Sequence, residues 1–284
     1  MTRRASSSTS TSVLKVVAGV FLTLWTALPL YWAVVVSVST PAQINAVPVS
    51  FFPSGLYWGN FSRLLNGTSD TSTSFLRALT NSAVEASAVT VLTLLIALPA
   101  AYGFVRLGTR AAATVFAIVI FTIAVPVYFV LIPLFQLAAA IDQINTYQAV
   151  VVIIVSSVMP LAIWIIRSHI ASIPVEIEQA ARLDGAGTFT LLTRIVGPLV
   201  APGCVAAAVV TFLTAWGAFL IPAVFTSGVD TQPLTVLIPQ YASKYAQDYG
   251  LQAAAAVIAL LPPALLVIWL RRYLLSGILA GAGK

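Results

Sequence analysis

From Val16 past Ser39 the chain carries no Asp, Glu, Lys or Arg, and several further stretches of at least 20 residues are equally free of charge. About 20 residues of helix cross the roughly 30 Å of hydrocarbon in a bilayer, so runs of this length are read as membrane spans. Composition agrees. Of 284 residues, 60% are hydrophobic and 8% charged, and the mean hydropathy is +1.00. An ordinary soluble domain has about 25% charged residues, so 14 basic and 8 acidic side chains are too few to clothe a globule of this size. A soluble enzyme is excluded, and an all-α polytopic membrane protein is expected.

Six spans are expected, at about Val16–Val38, Asn81–Val105, Ala112–Leu134, Ala149–Ile166, Pro202–Phe225 and Leu251–Leu270. The first is too long for a signal-peptide core and has no clear cleavage site after it, so it reads as an uncleaved span. A six-helix domain over 16–274 then lies between tails 1–15 and 275–284. Lys and Arg resist translocation and mark the cytoplasmic side. With the N-terminus inside, eleven basic residues fall on inner segments: Arg3, Arg4, Lys15, Arg106, Arg110, Arg167, Arg182, Arg194, Arg271, Arg272 and Lys284. Only Arg63, Arg77 and Lys244 fall outside, so both termini are expected in the cytoplasm. The net charge of +6 is thereby explained without a nucleic-acid partner. The outer segments Ser39–Thr80, Ala138–Gln148 and Thr226–Gly250 read as loops, with a tight turn at Asn66-Gly67.

The inner segment Arg167–Ala201 is long and holds three of the eight acids. Pro174 suits a first helical turn, and Glu176 and Glu178 suit the positive end of a helix dipole. Glu178 and Arg182 form an i,i+4 pair in the favourable order. Gly185 or Gly187 should end that helix, and Thr188 should cap a second one. In that second helix Phe189, Leu192 and Ile195 share a face, up to a break at Gly197-Pro198. Periodicity alone leaves two interfacial helices resting on the membrane as an equal reading.

The run Glu178-Gln179-Ala180-Ala181-Arg182-Leu183-Asp184-Gly185-Ala186, followed by Ile195-Val196-Gly197-Pro198, resembles the E-A-A…D-G-A…I-x-L-P loop of binding-protein-dependent ABC importer permeases. Two positions depart from the pattern: Gln179 stands where Glu is usual, and Gly197 where Leu is usual. The resemblance extends toward the maltose-type carbohydrate subgroup through Phe51-Phe52-Pro53, Asn60-Phe61, Asn81-Ser82, Ala100-Ala101-Tyr102 and the ending Gly277-Ile278-Leu279-Ala280-Gly281-Ala282-Gly283-Lys284. In the fifth span Trp216-Gly217-Ala218-Phe219 replaces the usual W-N-D/E-F.

That resemblance implies a MetI-like ABC permease fold in a bacterial cytoplasmic membrane. It implies a second, related permease in a heterodimer, two cytoplasmic ABC ATPase subunits and an extracytoplasmic substrate-binding protein. The loop 167–201 would dock in a cleft of the ATPase, using Glu178, Gln179, Ala180, Ala181, Asp184, Gly185, Ala186, Ile195 and Pro198. The function implied is carbohydrate import by alternating access. Related permeases share the loop motif and carry polyamines or phosphate esters, so the motif leaves the cargo open.

No G-x-x-x-x-G-K-S/T occurs, and the only lysines are Lys15, Lys244 and Lys284, so ATP and Mg are expected on the partner ATPases. The chain is expected to be no enzyme, with no catalytic residue, cofactor or metal of its own. Cys204 reads as a small packed residue and His169 as a headgroup-level cation. Glu85 is the only acid inside a span, where a charge costs about 2.5 kcal/mol or more without water or a partner; a transport pathway and anchoring near the outer interface fit it equally. Tyr128 and Trp216 could stack on sugar faces, although aromatic residues in spans mostly serve packing or interfaces. A secondary carrier driven by an ion gradient is the rival class, but neither an internal repeat nor a central charge pair is evident.

Overall fold

The computed structural model describes residues 7–48, 50–53, 55–243 and 246–282. Arg3, Arg4, Lys244 and the final Gly283-Lys284, used above for topology and motif, lie outside the described residues. The chain is almost wholly helical. In order come α1 (Ser7–Ser37), α2 (Pro41–Ile44), α3 (Gly59–Leu65), α4 (Asp70–Arg106), α5 (Arg110–Phe121), α6 (Val127–Ala140), α7 (Tyr147–Ile170) and α8 (Val175–Leu183). Then follow α9 (Thr188–Leu199), α10 (Ala201–Trp216), α11 (Leu220–Phe225), α12 (Leu234–Leu237), an antiparallel hairpin of β1 (Ala242–Ser243) and β2 (Ala246–Gln247), and α13 (Tyr249–Ala282).

Among the described residues, four helices are long and apolar enough to cross a membrane alone: Leu14–Ser37, Asp70–Arg106, Tyr147–Ile170 and Tyr249–Leu270. The number reaches six if the pairs α5/α6 and α9/α10 each count as one span, and these pairs are bent by 97° and 80°. The expected third span therefore is not one straight helix. Val125, which precedes Pro126, is extended (φ −79°, ψ 114°), because a following proline ring clashes with a helical conformation at the residue before it. The fifth expected span also breaks, at Gly217, beyond which Thr235 Oγ1 donates to the Ala218 carbonyl at 2.7 Å. α4 starts at Asp70, so the end of the expected outer loop is helical. Several span hydroxyls return to their own helix: Thr23 donates to Gly19 O at 2.8 Å and Thr90 to Ala86 O at 2.7 Å, satisfying them where no water is present.

The chain divides into two compact units, 1–75 with 238–260, and 76–237 with 261–284. In the first, the buried Asn60 donates from Nδ2 to the carbonyls of Ser37 at 3.0 Å and Ser39 at 3.1 Å. Gly250 lies against it so closely that a Cβ would stand 2.7 Å from Asn60 Nδ2. Arg63 and Asp248 form an ion pair at 2.6 Å. In the second unit α7 is central: 61% of its most apolar window is buried, against 6% for α1 of the first unit. Ala97, Ala101 and Tyr102 of α4 join Ile163, Ile166 and Ile170 of α7, with Leu191, Val196, Val200 and Ala207, in one apolar core. His169 packs its ring on Gly203, where a Cβ would stand 2.5 Å from Cγ. The side chain is half-buried.

Candidate functional site

The site is built on α8, which the sequence ends with Asp184-Gly185-Ala186. Gly185 has φ +88°, a left-handed conformation that costs glycine nothing. The Gly185 amide donates to Arg182 O at 3.1 Å and the Ala186 amide to Ala181 O at 2.9 Å. This pair of bonds is the Schellman closure, which satisfies the orphan carbonyls of a helix end. Pro174 sits at the N-cap, just before the first turn.

Glu178 is 4% exposed. Its Oε2 accepts from the Tyr102 hydroxyl at 2.8 Å, and its Oε1 accepts from Arg106 Nε at 2.8 Å and lies 2.6 Å from Arg106 Nη2. Nη2 donates further to the carbonyls of Ile170 at 3.4 Å and Ile173 at 3.1 Å, at and just beyond the end of α7. Arg106 thus joins the last turn of α4 to the exit of α7 and to α8. The expected Glu178–Arg182 pair is not formed; Arg182 Nη2 instead reaches Tyr102 Oη at 3.4 Å. Removing one partner of a buried ion pair strands the other, at a cost of about 3–5 kcal/mol.

Gln179, the position usually Glu, is exposed, as are Ala180 and Asp184, while Ala181 and Ala186 are half-buried. α9 opens without a side-chain cap, its N-cap being Gly187 rather than Thr188. From Leu191 to Val196 it winds as a π-helix, with the Gly197 amide bonded to Leu192 O. The five-residue step puts Leu191 and Val196 together in the core. This corrects the expected face, since Phe189 is 80% exposed whereas Leu192 and Ile195 are half-buried. The helix does not stop at Gly197-Pro198 but runs to Leu199, and Pro198 is exposed. Gly197 is required there, because a Cβ would stand 2.7 Å from the Leu192 carbonyl oxygen. With Leu183 at 89% exposure, Phe189 makes an outward apolar pair flanking the Gly185 turn.

The other end of α4 holds a second polar cluster. Asn81 Nδ2 donates to the carbonyls of Asp230 at 3.1 Å and Gln232 at 2.9 Å, and Asn81 Oδ1 accepts from the Tyr147 hydroxyl at 2.6 Å. Ser82 Oγ accepts from the Leu234 amide at 2.9 Å, and Arg77 pairs with Asp230. One turn further on, Glu85 is 2% exposed with its Oε1 unpartnered. Its carboxylate is packed inside this chain. Trp216, 8% exposed, stacks on Phe212 at 5.7 Å, whereas Tyr128 on α6 is 71% exposed. The three candidate pathway residues thus occupy unlike environments.

The family described as the binding-protein-dependent transport system inner membrane component matches residues 90–279, which include the whole α8–α9 site. The chain belongs to this family. Among relatives of this permease, the sulfoquinovosyl glycerol transport system permease protein of Agrobacterium fabrum is 30% identical, over 90% of this chain and 88% of its own. The trehalose/maltose transport system permease protein of Thermococcus litoralis is 28% identical over 96% of each chain. A chain from the crystal structure of a bacterial ABC transporter that imports the acidic polysaccharide alginate superposes with a TM-score of 0.82, at 17% identity, over 96% of the permease and 99% of that chain. Residue patterns single out the helix–turn–helix of α8 and α9, but not the contacts that Tyr102 and Arg106 make with it. Arg106 reads in sequence as a topology signal only, and nothing local links it to a glutamate 72 residues later.

Proposed function

We propose that this permease is a subunit of an ATP-driven carbohydrate importer of the bacterial plasma membrane, coupled to its motor through α8 and α9. The observation that carries the coupling is the outward pair Leu183 and Phe189 on a helix–turn–helix whose inner side is fastened by Glu178 and the Leu191/Val196 core. An apolar ridge of this kind suits a groove on a partner, here one of the two ABC ATPase subunits that bind ATP and Mg. The exposed turn around Gln179, Asp184 and Gly185 would enter the same groove. A carbohydrate cargo is supported by relatives named for sulfoquinovosyl glycerol and for trehalose and maltose transport. A second related permease and an extracytoplasmic binding protein complete the assembly, which works by alternating access: ATP-driven closure of the ATPases moves the docked loop, and the spans relay that motion to the gate.

The test is reconstitution in proteoliposomes with the partner subunits, using maltose and trehalose as probes. The permease alone is expected to hydrolyse no ATP. The full complex is expected to retain the ATPase through purification, and its ATP hydrolysis to rise when sugar-loaded binding protein is added. Sugar uptake by this polypeptide alone on a proton or sodium gradient would overturn the reading.

A further inference from the structure

α8 is continuous in chain with α7 on one side and, through α9, with α10 on the other. A push on it would reach those spans through the backbone. α4 has no such continuity, and its polar connection to α8 is made by Tyr102 and Arg106 on Glu178, with Arg182 on Tyr102. At 1.5 Å per residue, Tyr102 lies about 32 Å along α4 from Asn81. Asn81 in turn holds the carbonyls of Asp230 and Gln232. One helix thus carries a polar clamp at each end, the inner one on the coupling segment and the outer one on the loop before α12.

We propose that Arg106 is a positioning residue that clamps α8 to the inner end of α4, so that the two move as one body when the motor drives the loop. This rests on the docking of α8 and α9 on the ATPase. Three features of the clamp suit a mechanical joint. The Glu178 carboxylate is buried and bound on both oxygens. Arg106 engages it through two nitrogens, which fixes direction as well as distance. Its bonds to Ile170 and Ile173 O tie the joint to the exit of α7 as well, so α8 cannot roll without breaking several bonds together.

The test uses the whole complex in nanodiscs, in a Cys204→Ala background. Spin labels go on Leu95→Cys, exposed on α4, and Glu176→Cys, exposed at the start of α8. Distances are measured without nucleotide and with Mg·ATP and vanadate. In the otherwise unaltered chain the distance is expected to shift by less than about 2 Å, the scale of ordinary helix adjustments. Arg106→Gln with Glu178→Gln removes the ion pair without stranding a charge; here the distribution is expected to broaden and to shift with nucleotide by about 5 Å, one helical turn. Arg106→Glu with Glu178→Arg is expected to restore the narrow, unshifted distribution. Tyr102→Phe, which keeps the ion pair, should remain narrow. A distribution in the double-Gln complex as narrow and constant as in the unaltered chain would overturn the clamp. So would a shift of about 5 Å in the unaltered chain itself. Failure of the unaltered permease to retain the ATPase would instead overturn the docking on which the clamp depends.

Discussion

Gly185 holds φ +88°, and a Cβ added there would meet no atom within 4 Å, so substitution is opposed by backbone conformation alone. A left-handed L-residue costs about 1–2 kcal/mol, and a β-branched one lies at the upper end. Gly185→Val is therefore expected to weaken retention of the ATPase about 5–30-fold, whereas Gly185→Asn, which tolerates this conformation, should lose much less. A titration of ATPase onto the permease in detergent measures both, and equal affinities would refute the assignment. Gly185 was readable in sequence because D-G-A has a local cause in the helix-end closure. The partner of Glu178 was not. Its burial depends on Tyr102 and Arg106, which only the fold brings near, and the local rule for i,i+4 pairs pointed to Arg182 instead.

Elements were legible where a single physical quantity decided them. α1, α7 and the apolar part of α13 follow from the length of uncharged chain, and the expected bounds of α7 fall within those observed. Hydropathy is blind to direction, so neither the bend at Val125-Pro126 nor that between α9 and α10 could be read from it. The start of α4 was missed because Asp70–Thr80 is polar and helical at once. In α9 the departure at Gly197 proves to belong to the element: the π-turn brings the Leu192 carbonyl to where a side chain would begin. Gly197→Leu, the residue usual in the family pattern, is expected to force that turn to rewind and to cost about 1–3 kcal/mol, lowering the melting temperature by ~2–8 °C. Thermal unfolding of the purified permease checks this. An unchanged melting temperature would mean that the π-turn rewinds at no cost.

At the scale of the molecule, the charge asymmetry predicts that the Asn66-Gly67 turn, formed with Gly67 at φ +70°, lies outside and the α7–α8 turn inside. In a Cys204→Ala background, Thr68→Cys is expected to react in intact cells with an impermeant thiol reagent. Ser172→Cys should react only after permeabilisation; equal reaction would refute the orientation. The sparse burial of α1 bears on how the protein is made. Only 6% of its most apolar window is covered by the rest of the chain, while Trp25 and Leu28 are among its exposed side chains. A helix with so little to gain from later segments can settle in the lipid as it leaves the ribosome, held by hydrophobicity alone. The basic residues on the N-terminal side of its apolar run are Arg3, Arg4 and Lys15. Those three cations then bias the side on which the chain keeps its N-terminus before α8 has been translated.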